Sequence, residues 1–418
     1  MSSRAAALCL KCRGAKNLCG KPFCPLISYW KALNDVRLPE TTELEGPTPP
    51  TVFVGRQGYP KVRFSIGVPA TGGDPSFFEA QEKWLEKPLS EILRMRLSLI
   101  RGETSVDVRR ADVPEEVRLA SISREPVEVE MNLSRKPSLR ALLDLFSPPL
   151  GPASPVERIR VSGEPKLPRP VEKMYYSLDV KASDAIMYLY ESGVPVSQIQ
   201  RMLSTGSLGY GFQRRFVPTR WSITAVDSTI SQRLIEKIKE YDTFSTYLFF
   251  QWRHEDNNFI AIIVPREWSY EWIEAWFPHT MWNPSSIIEV EGDYEGYRGR
   301  TTYASLGGCY YAARLATAEY MLREKKQGTA ILIREIYEGF FSPIGVWFVR
   351  ENVRQLYRTT PERFDSLSEV LERLGRATRL PLHVWLEKSR LIRDLTRQET
   401  LLSYLTRSSQ GRRKSGQL

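Results

Sequence analysis

The sequence predicts an α+β protein: a four-cysteine, zinc-finger-like module on a mixed α/β body, followed by a flexible C-terminal tail that carries a partner-binding peptide. Three observations carry this reading. Four of the five cysteines fall between Cys9 and Cys24, strand and helix periodicities alternate through the remaining chain, and 42% hydrophobic content over 418 residues suffices for a substantial core. No apolar run approaches the roughly 18 residues that a membrane helix needs, so a membrane span is not expected.

In residues 1–38, Cys9 and Cys12 form a C-x2-C pair, and Cys19 and Cys24 follow with four residues between them. Four thiolates so spaced can close a tetrahedron around structural Zn(II), and Gly14 and Gly20 supply chain reversals beside it. An iron–sulfur cluster uses the same four thiolates, and spacing does not separate the two. Two disulfides would suit a secreted chain, but no apolar signal stretch precedes Cys9, and the lone Cys309 fits a reducing, cytoplasmic location. Pro25 and the run Leu26–Trp30 read as a short helix that anchors the module.

Charge points to the same ends of the chain. The net charge is +10, and the ten surplus cations are six in residues 1–34, which hold no acid, and four after Glu399. The intervening body is electrically balanced. Lys11, Arg13, Lys16 and Lys21 therefore make the module a candidate contact for DNA phosphates, with an affinity that falls steeply with salt.

Residues 39–50, with four prolines, read as a linker. The first α+β half, 51–146, opens with a hairpin, Thr51–Val54 and Lys61–Ile66, whose loop offers Arg56 and Tyr59 to a nucleic acid. Pro88–Arg101 has apolar residues at helical spacing, and Val127–Asn132 alternates as an exposed edge strand. Seven prolines between 147 and 170 mark a connection, interrupted by a strand at 158–161, and the second α/β half spans 171–397.

That half begins with helices at Ser183–Glu191 and Val196–Leu203, turned by Gly193. The stretch Gly206–Asp227 follows. Its three glycines let backbone approach a ligand, and Arg214, Arg215 and Arg220 with Trp221 mix cations with stacking surface, as nucleic-acid contacts do. Two apolar runs, Thr246–Trp252 and Phe259–Val264, form a second hairpin, and four tryptophans between 268 and 282 suggest a further aromatic contact area. Glu289, Glu291, Asp293 and Glu295 form an acidic loop whose carboxylates could hold Mg(II) or Mn(II) for phosphodiester cleavage. Tyr310–Glu324 reads as a helix leading into the buried strand Ala330–Ile333. With His254, His279 and His383 far apart, no nucleophile–base motif can be assembled, and the catalytic residues are unknown.

The tail, 398–418, contains Gln398, Leu401, Tyr404 and Leu405. Gln at position one, an aliphatic at four and large apolar residues at seven and eight match the peptide that binds the sliding clamp PCNA: the apolar three share one helical turn that fills a pocket.

These features together resemble the Nre family of archaeal DNA repair proteins. The resemblance rests on the four-cysteine module, Val54-Gly55-Arg56 with Gly58-Tyr59-Pro60, the run Val217–Asp227, Tyr310-Tyr311-Ala312-Ala313-Arg314-Leu315-Ala316 and the clamp peptide. It implies a cytoplasmic repair factor recruited to the replication clamp, and it supplies no catalytic residues. Leu405 stands where such peptides usually carry a second aromatic. A metal-dependent nuclease acting on damaged DNA is the alternative, with Asp227 or Asp293 among its carboxylates; a non-enzymatic scaffold for clamp-associated repair factors is another. Elemental analysis of the purified full chain is expected to find about one zinc per molecule, lost on replacing Cys9 and Cys12 by Ser; iron, or no metal, would overturn the zinc assignment.

Overall fold

Two six-stranded sheets organise the chain. The computed structural model describes residues 40–70, 75–110, 113–138, 150–280, 283, 286–340 and 344–397. Cys9, Cys12, Cys19, Cys24, Lys11, Arg13, Lys16, Lys21 and the peptide Gln398–Leu405 lie outside the described residues.

The first sheet uses β1 (Glu43–Thr48), β2 (Phe53–Val54), β3 (Lys61–Pro69), β4 (Leu99–Asp107), β5 (Val127–Leu133) and β6 (Ala153–Val161) in the order β1-β5-β6-β4-β3-β2. The β4–β6 pair is parallel and the other neighbours are antiparallel. Three expectations change here. The proline-bearing stretch 39–50 is not a linker throughout, because β1 runs along a sheet edge, where a proline such as Pro47 is tolerated. That strand covers β5, so β5 is interior, and its alternation reflects one buried face: Val127, Val129, Met131 and Leu133 are buried. The proline-rich connection contributes β6, which is longer than the strand expected at 158–161 and belongs to the first sheet. The apolar face of this sheet packs Val62, Phe64, Ile66, Val106 and Met131 against Phe216 from the second half.

Helix α1 (Leu89–Ser98) feeds directly into β4, and α2 (Glu115–Ile122) leads to β5. After β6 come α3 (Arg169–Tyr176), α4 (Ala182–Glu191), α5 (Val196–Ser204) and the long α6 (Thr219–Ile238). Gly193, at φ +78°, makes the α4–α5 turn. Both helices of that pair bury apolar faces in the largest core, with Leu189, Ile199 and Met202 inside.

The second sheet orders its strands β10-β9-β11-β8-β7-β12. These are β7 (Tyr247–His254), β8 (Asn257–Val264), β9 (Ser269–Trp276), β10 (Glu289–Glu295), β11 (Thr329–Ile336) and β12 (Glu362–Phe364). Glu255 and Asp256, at φ 47° and 54°, close β7 onto β8 in a two-residue turn tighter than the six-residue loop expected. Every residue of β8 and β11 is buried because helices cover both faces, which explains their unbroken apolar runs. On one face lie α6, α7 (Gly308–Glu324) and α8 (Val346–Leu356). On the other lie α9 (Leu367–Ala377), α10 (Leu382–Lys388) and α11 (Arg390–Arg397), with Ile262, Ile333, Leu374, Trp385 and Ile392 between them. Trp268 and Trp272 are fully buried on the first of these faces, so these two tryptophans of the expected contact area are core. No helix among the described residues is long and apolar enough to cross a membrane.

A chain of buried polar groups crosses the helical layer. Arg350 Nη1 donates to both carboxylate oxygens of Asp227, at 3.0 and 2.9 Å, and neither side chain has any exposure. Gln200 also donates to Asp227, Arg350 reaches Gln81 and Glu351, and Arg354 links Glu351 to Glu319, which accepts from Tyr190. One network thus ties α4, α5, α6, α7 and α8 to the turn before α1. Replacing Asp227 by Asn or Arg350 by Met alone should cost about 3–5 kcal/mol in denaturant unfolding, because each leaves a buried charge without its counterion. The double variant Asp227→Leu with Arg350→Met is expected to recover much of that loss; additive losses would mean that the pair is not coupled.

Candidate nucleic-acid interface and adjoining cavity

The two stretches singled out for aromatic and cationic content meet in space. The backbone N–H of Val54 donates to Thr219 Oγ1 at 2.9 Å, joining the end of β2, where the β2–β3 loop begins, to the first residue of α6. Above this bond the Tyr59 and Trp221 rings pack with centroids 5.4 Å apart, yet they remain 51% and 46% exposed. Arg56 is exposed on the same loop. Arg109 flanks it: Val108 N–H donates to Pro60 O, and Asp107 grips the Arg109 guanidinium at 3.0 and 2.8 Å. Those hydrogen bonds hold the Asp107 carboxyl well below the usual range.

The loop 206–217 is seated on the first sheet by Phe216, whose ring lies 5.5 Å from Phe64 and whose N–H donates to Val108 O. Its two leading arginines part ways. Arg215 is exposed. Arg214 closes the C-terminal end of α3, donating to the carbonyls of Met174, Tyr175, Ser177 and Gly209 at 2.5–3.1 Å. Its polar hydrogens are thus committed inside the fold. Arg220 turns instead toward a cavity of about 560 Å³ beside this surface.

That cavity lies between the elements packed on the first sheet and the β9–β10 edge of the second. Three long helices begin on its wall: Thr219 and Arg220 of α6, Gly308 and Cys309 of α7, and Val346 and Trp347 of α8 line it. Gly307 at φ +61° and Gly345 at φ +94° precede α7 and α8, a conformation that side chains resist. At Gly308, a Cβ would come within 2.7 Å of Val346 Cγ2, so the two helix starts approach as closely as they do because that residue is glycine. None of the three N-termini has a side-chain cap among the described residues. Their positive dipole ends therefore border the same space.

Charge is segregated around it. On one side Arg96 and Arg201 flank Glu79, which accepts from Arg96 and from Thr51 Oγ1, each at 2.6 Å. Burial alone would raise the Glu79 carboxyl, but Arg96, Arg201 and Arg101 together hold it low. On the other side stand Glu289 and Glu291 of β10 and the Glu274–Arg334 pair, 2.9 Å apart. Tyr303 and Trp276 add aromatic surface. Burial pushes the Cys309 thiol up to about 12, so it stays protonated and is no nucleophile.

The acids expected in a loop form strand β10, antiparallel to β9. Glu295 is buried against Arg314 at 2.7 Å. Asp293 accepts from Arg300 at 2.9 Å and from the Ser305 N–H at 2.7 Å; burial would raise its carboxyl, but these partners hold it below the usual range. Asp227 belongs to the buried pair with Arg350. Among the described residues no group of three or more His, Cys, Asp and Glu is placed to hold a metal ion. The cavity itself escaped the sequence reading, although glycines at 307–308 and 345, directly ahead of two amphipathic stretches, were its visible trace.

Comparison with known proteins agrees along nearly the whole length. Residues 18–283 match the N-terminal model of archaeal Nre and residues 295–404 its C-terminal model. The chain is 45% identical to DNA repair protein NreB of Archaeoglobus fulgidus over 397 residues, covering 95% of this chain and 100% of that protein. It is 36% identical to DNA repair protein NreA of the same organism, covering 88% and 93%, and 34% identical to DNA repair protein NreA of Haloferax volcanii, covering 77% and 80%. No solved structure matches it. The chain belongs to the archaeal Nre family.

Proposed function

We propose that this chain is a DNA repair factor that holds single-stranded or locally opened DNA on the Tyr59–Trp221 surface and is brought to its work by the sliding clamp. The Nre relatives, which carry the name DNA repair protein, support the repair role. The observation that carries the DNA contact is the Tyr59–Trp221 pair, two half-exposed rings beside a backbone-to-hydroxyl hydrogen bond between distant segments, with exposed Arg56 on the same loop as Tyr59. Stacking of bases on such rings, with cations alongside, is tolerant of sequence. The module Cys9, Cys12, Cys19 and Cys24 would hold structural zinc, and with Lys11, Arg13, Lys16 and Lys21 it would add phosphate contacts in this reading. Gln398, Leu401, Tyr404 and Leu405 would engage the PCNA clamp.

Binding is favoured over metal-dependent cleavage because Asp227, Asp293 and Glu295, the carboxylates nearest to a nuclease role, are each paired with arginine. In fluorescence anisotropy with a single-stranded oligonucleotide, Tyr59→Ala and Trp221→Ala should each lose about 1–3 kcal/mol of binding energy, the usual worth of one stacked base. Unchanged affinity in both variants would remove this surface from the DNA path and leave a scaffold. Leu401→Ala with Tyr404→Ala is expected to abolish retention of the full chain on immobilised clamp, and undiminished retention would mean that the peptide is not the contact.

A further inference from the structure

The cavity beside the DNA-contact surface has a use that a stacking platform does not need. Its basic wall is lined by Arg96, Arg201 and Arg220, with Glu79 beside the first two. Arg96, 7% exposed, pairs with Glu79 through Nη1, while its Nε has no partner among the described residues, and the same is true of Arg201 Nε. Arg101, 1% exposed, lies outside the cavity lining, with Glu79 and Glu103 as the carboxylates near it. Arg96, Arg101 and Arg201 gather around Glu79, with Glu103 also near Arg101 and Glu82 near Arg201. The starts of α6, α7 and α8 add positive dipole ends from the neighbouring wall. Arginines on the lining combined with three helix N-termini at one cavity favour an anion with several acceptor oxygens.

The opposite wall specifies what the anion is attached to. Tyr303, 61% exposed at the rim, and Trp276 offer ring faces, and Glu289 and Glu291 offer acceptors. An aromatic group with amino donors satisfies both. The volume of about 560 Å³ lies within the range of about 300–1,000 Å³ typical of small-molecule sites.

We propose that this cavity is a binding site for one nucleoside monophosphate unit, its phosphate at the junction of α6, α7 and α8 beside Arg220, and its base between Tyr303, Trp276 and the β10 carboxylates. The unit can be a free nucleotide or a nucleotide swung out of a DNA strand lying on the Tyr59–Trp221 surface; the second source rests on the function proposed above, the first does not.

Calorimetric titration of the full chain with the four deoxynucleoside 5′-monophosphates, the matching nucleosides and inorganic phosphate tests the site. At least one monophosphate should bind saturably, at least about tenfold more tightly than its nucleoside and than phosphate alone. Arg220→Glu should weaken it by about tenfold or more. Tyr303→Ala, at an exposed position, should weaken it several-fold without moving the melting temperature of the unliganded protein. Tyr59→Ala should leave it unchanged, which separates this site from the strand-contact surface. In the second arm, a 2-aminopurine base within a single-stranded oligonucleotide reports unstacking. A fluorescence change on binding that Tyr303→Ala abolishes identifies the strand as the source, whereas monophosphate binding without that change identifies the free nucleotide. No saturable monophosphate binding together with no fluorescence change overturns the proposal. So does phosphate alone binding as tightly as every monophosphate.

Discussion

The fold turns on one ion pair that water does not reach. Arg350 of α8 and Asp227 of α6 are both completely buried, and a guanidinium and a carboxylate in that setting repay their desolvation only if geometry and further hydrogen bonds are good. Both conditions hold, through Gln200, Gln81 and Glu351. The pair therefore acts as a registration device. It fixes how far α6 and α8 slide past each other, and that sets where their N-termini emerge. Gln200 and Gln81 also stand on the cavity wall, so the shape of the candidate site is specified from inside the helical layer. Arg314 repeats the scheme from α7, reaching Glu295 on β10 and Ser228 and Ser231 on α6.

This use of arginine explains how much of the molecule was legible beforehand. Periodicity located β5, β8, β11 and α7, because each follows a simple rule: alternation for one covered face, an unbroken apolar run for two, and 3.6-residue spacing for a helix. It found only the end of β6 and failed at β1 and β10; these strands are rich in proline, glycine or acid and owe their strand state to a partner strand. The site divided along the same line. Tyr59, Arg56 and Trp221 could be named from composition, but their adjacency depends on the Val54–Thr219 hydrogen bond, which links residues 165 positions apart. Arg214 looked like its neighbour Arg215 and serves a different purpose, since only three-dimensional context shows that it closes α3. Helix N-termini converge through packing, and a linear chain does not display convergence.

The body is electrically balanced, which suggested that binding to polyanions belongs to the ends. Balance over the whole body coexists with local grouping: Arg96, Arg201 and Arg220 line one part of the cavity, while Glu289 and Glu291 line it from β10. A neutral sum thus conceals a dipolar cleft, and such a cleft orients a ligand that has an anionic end and a hydrogen-bond-donating end.

The end of α11 bears on how the molecule would be held by a partner. Glu271 of β9 accepts from Ser389 Oγ at 2.5 Å and from the N–H groups of Arg390 and Leu391 at 2.6 and 3.1 Å, while Leu391, Ile392 and Leu395 are buried in the second core. The helix is fastened at its first turn to a central part of the sheet and ends at Arg397, one residue before Gln398. A protein that captured the residues just beyond would grip a handle with almost no leash. Its grip would set the orientation of the whole body as well as its local concentration, so the face presented to a passing strand would be decided by the docking itself.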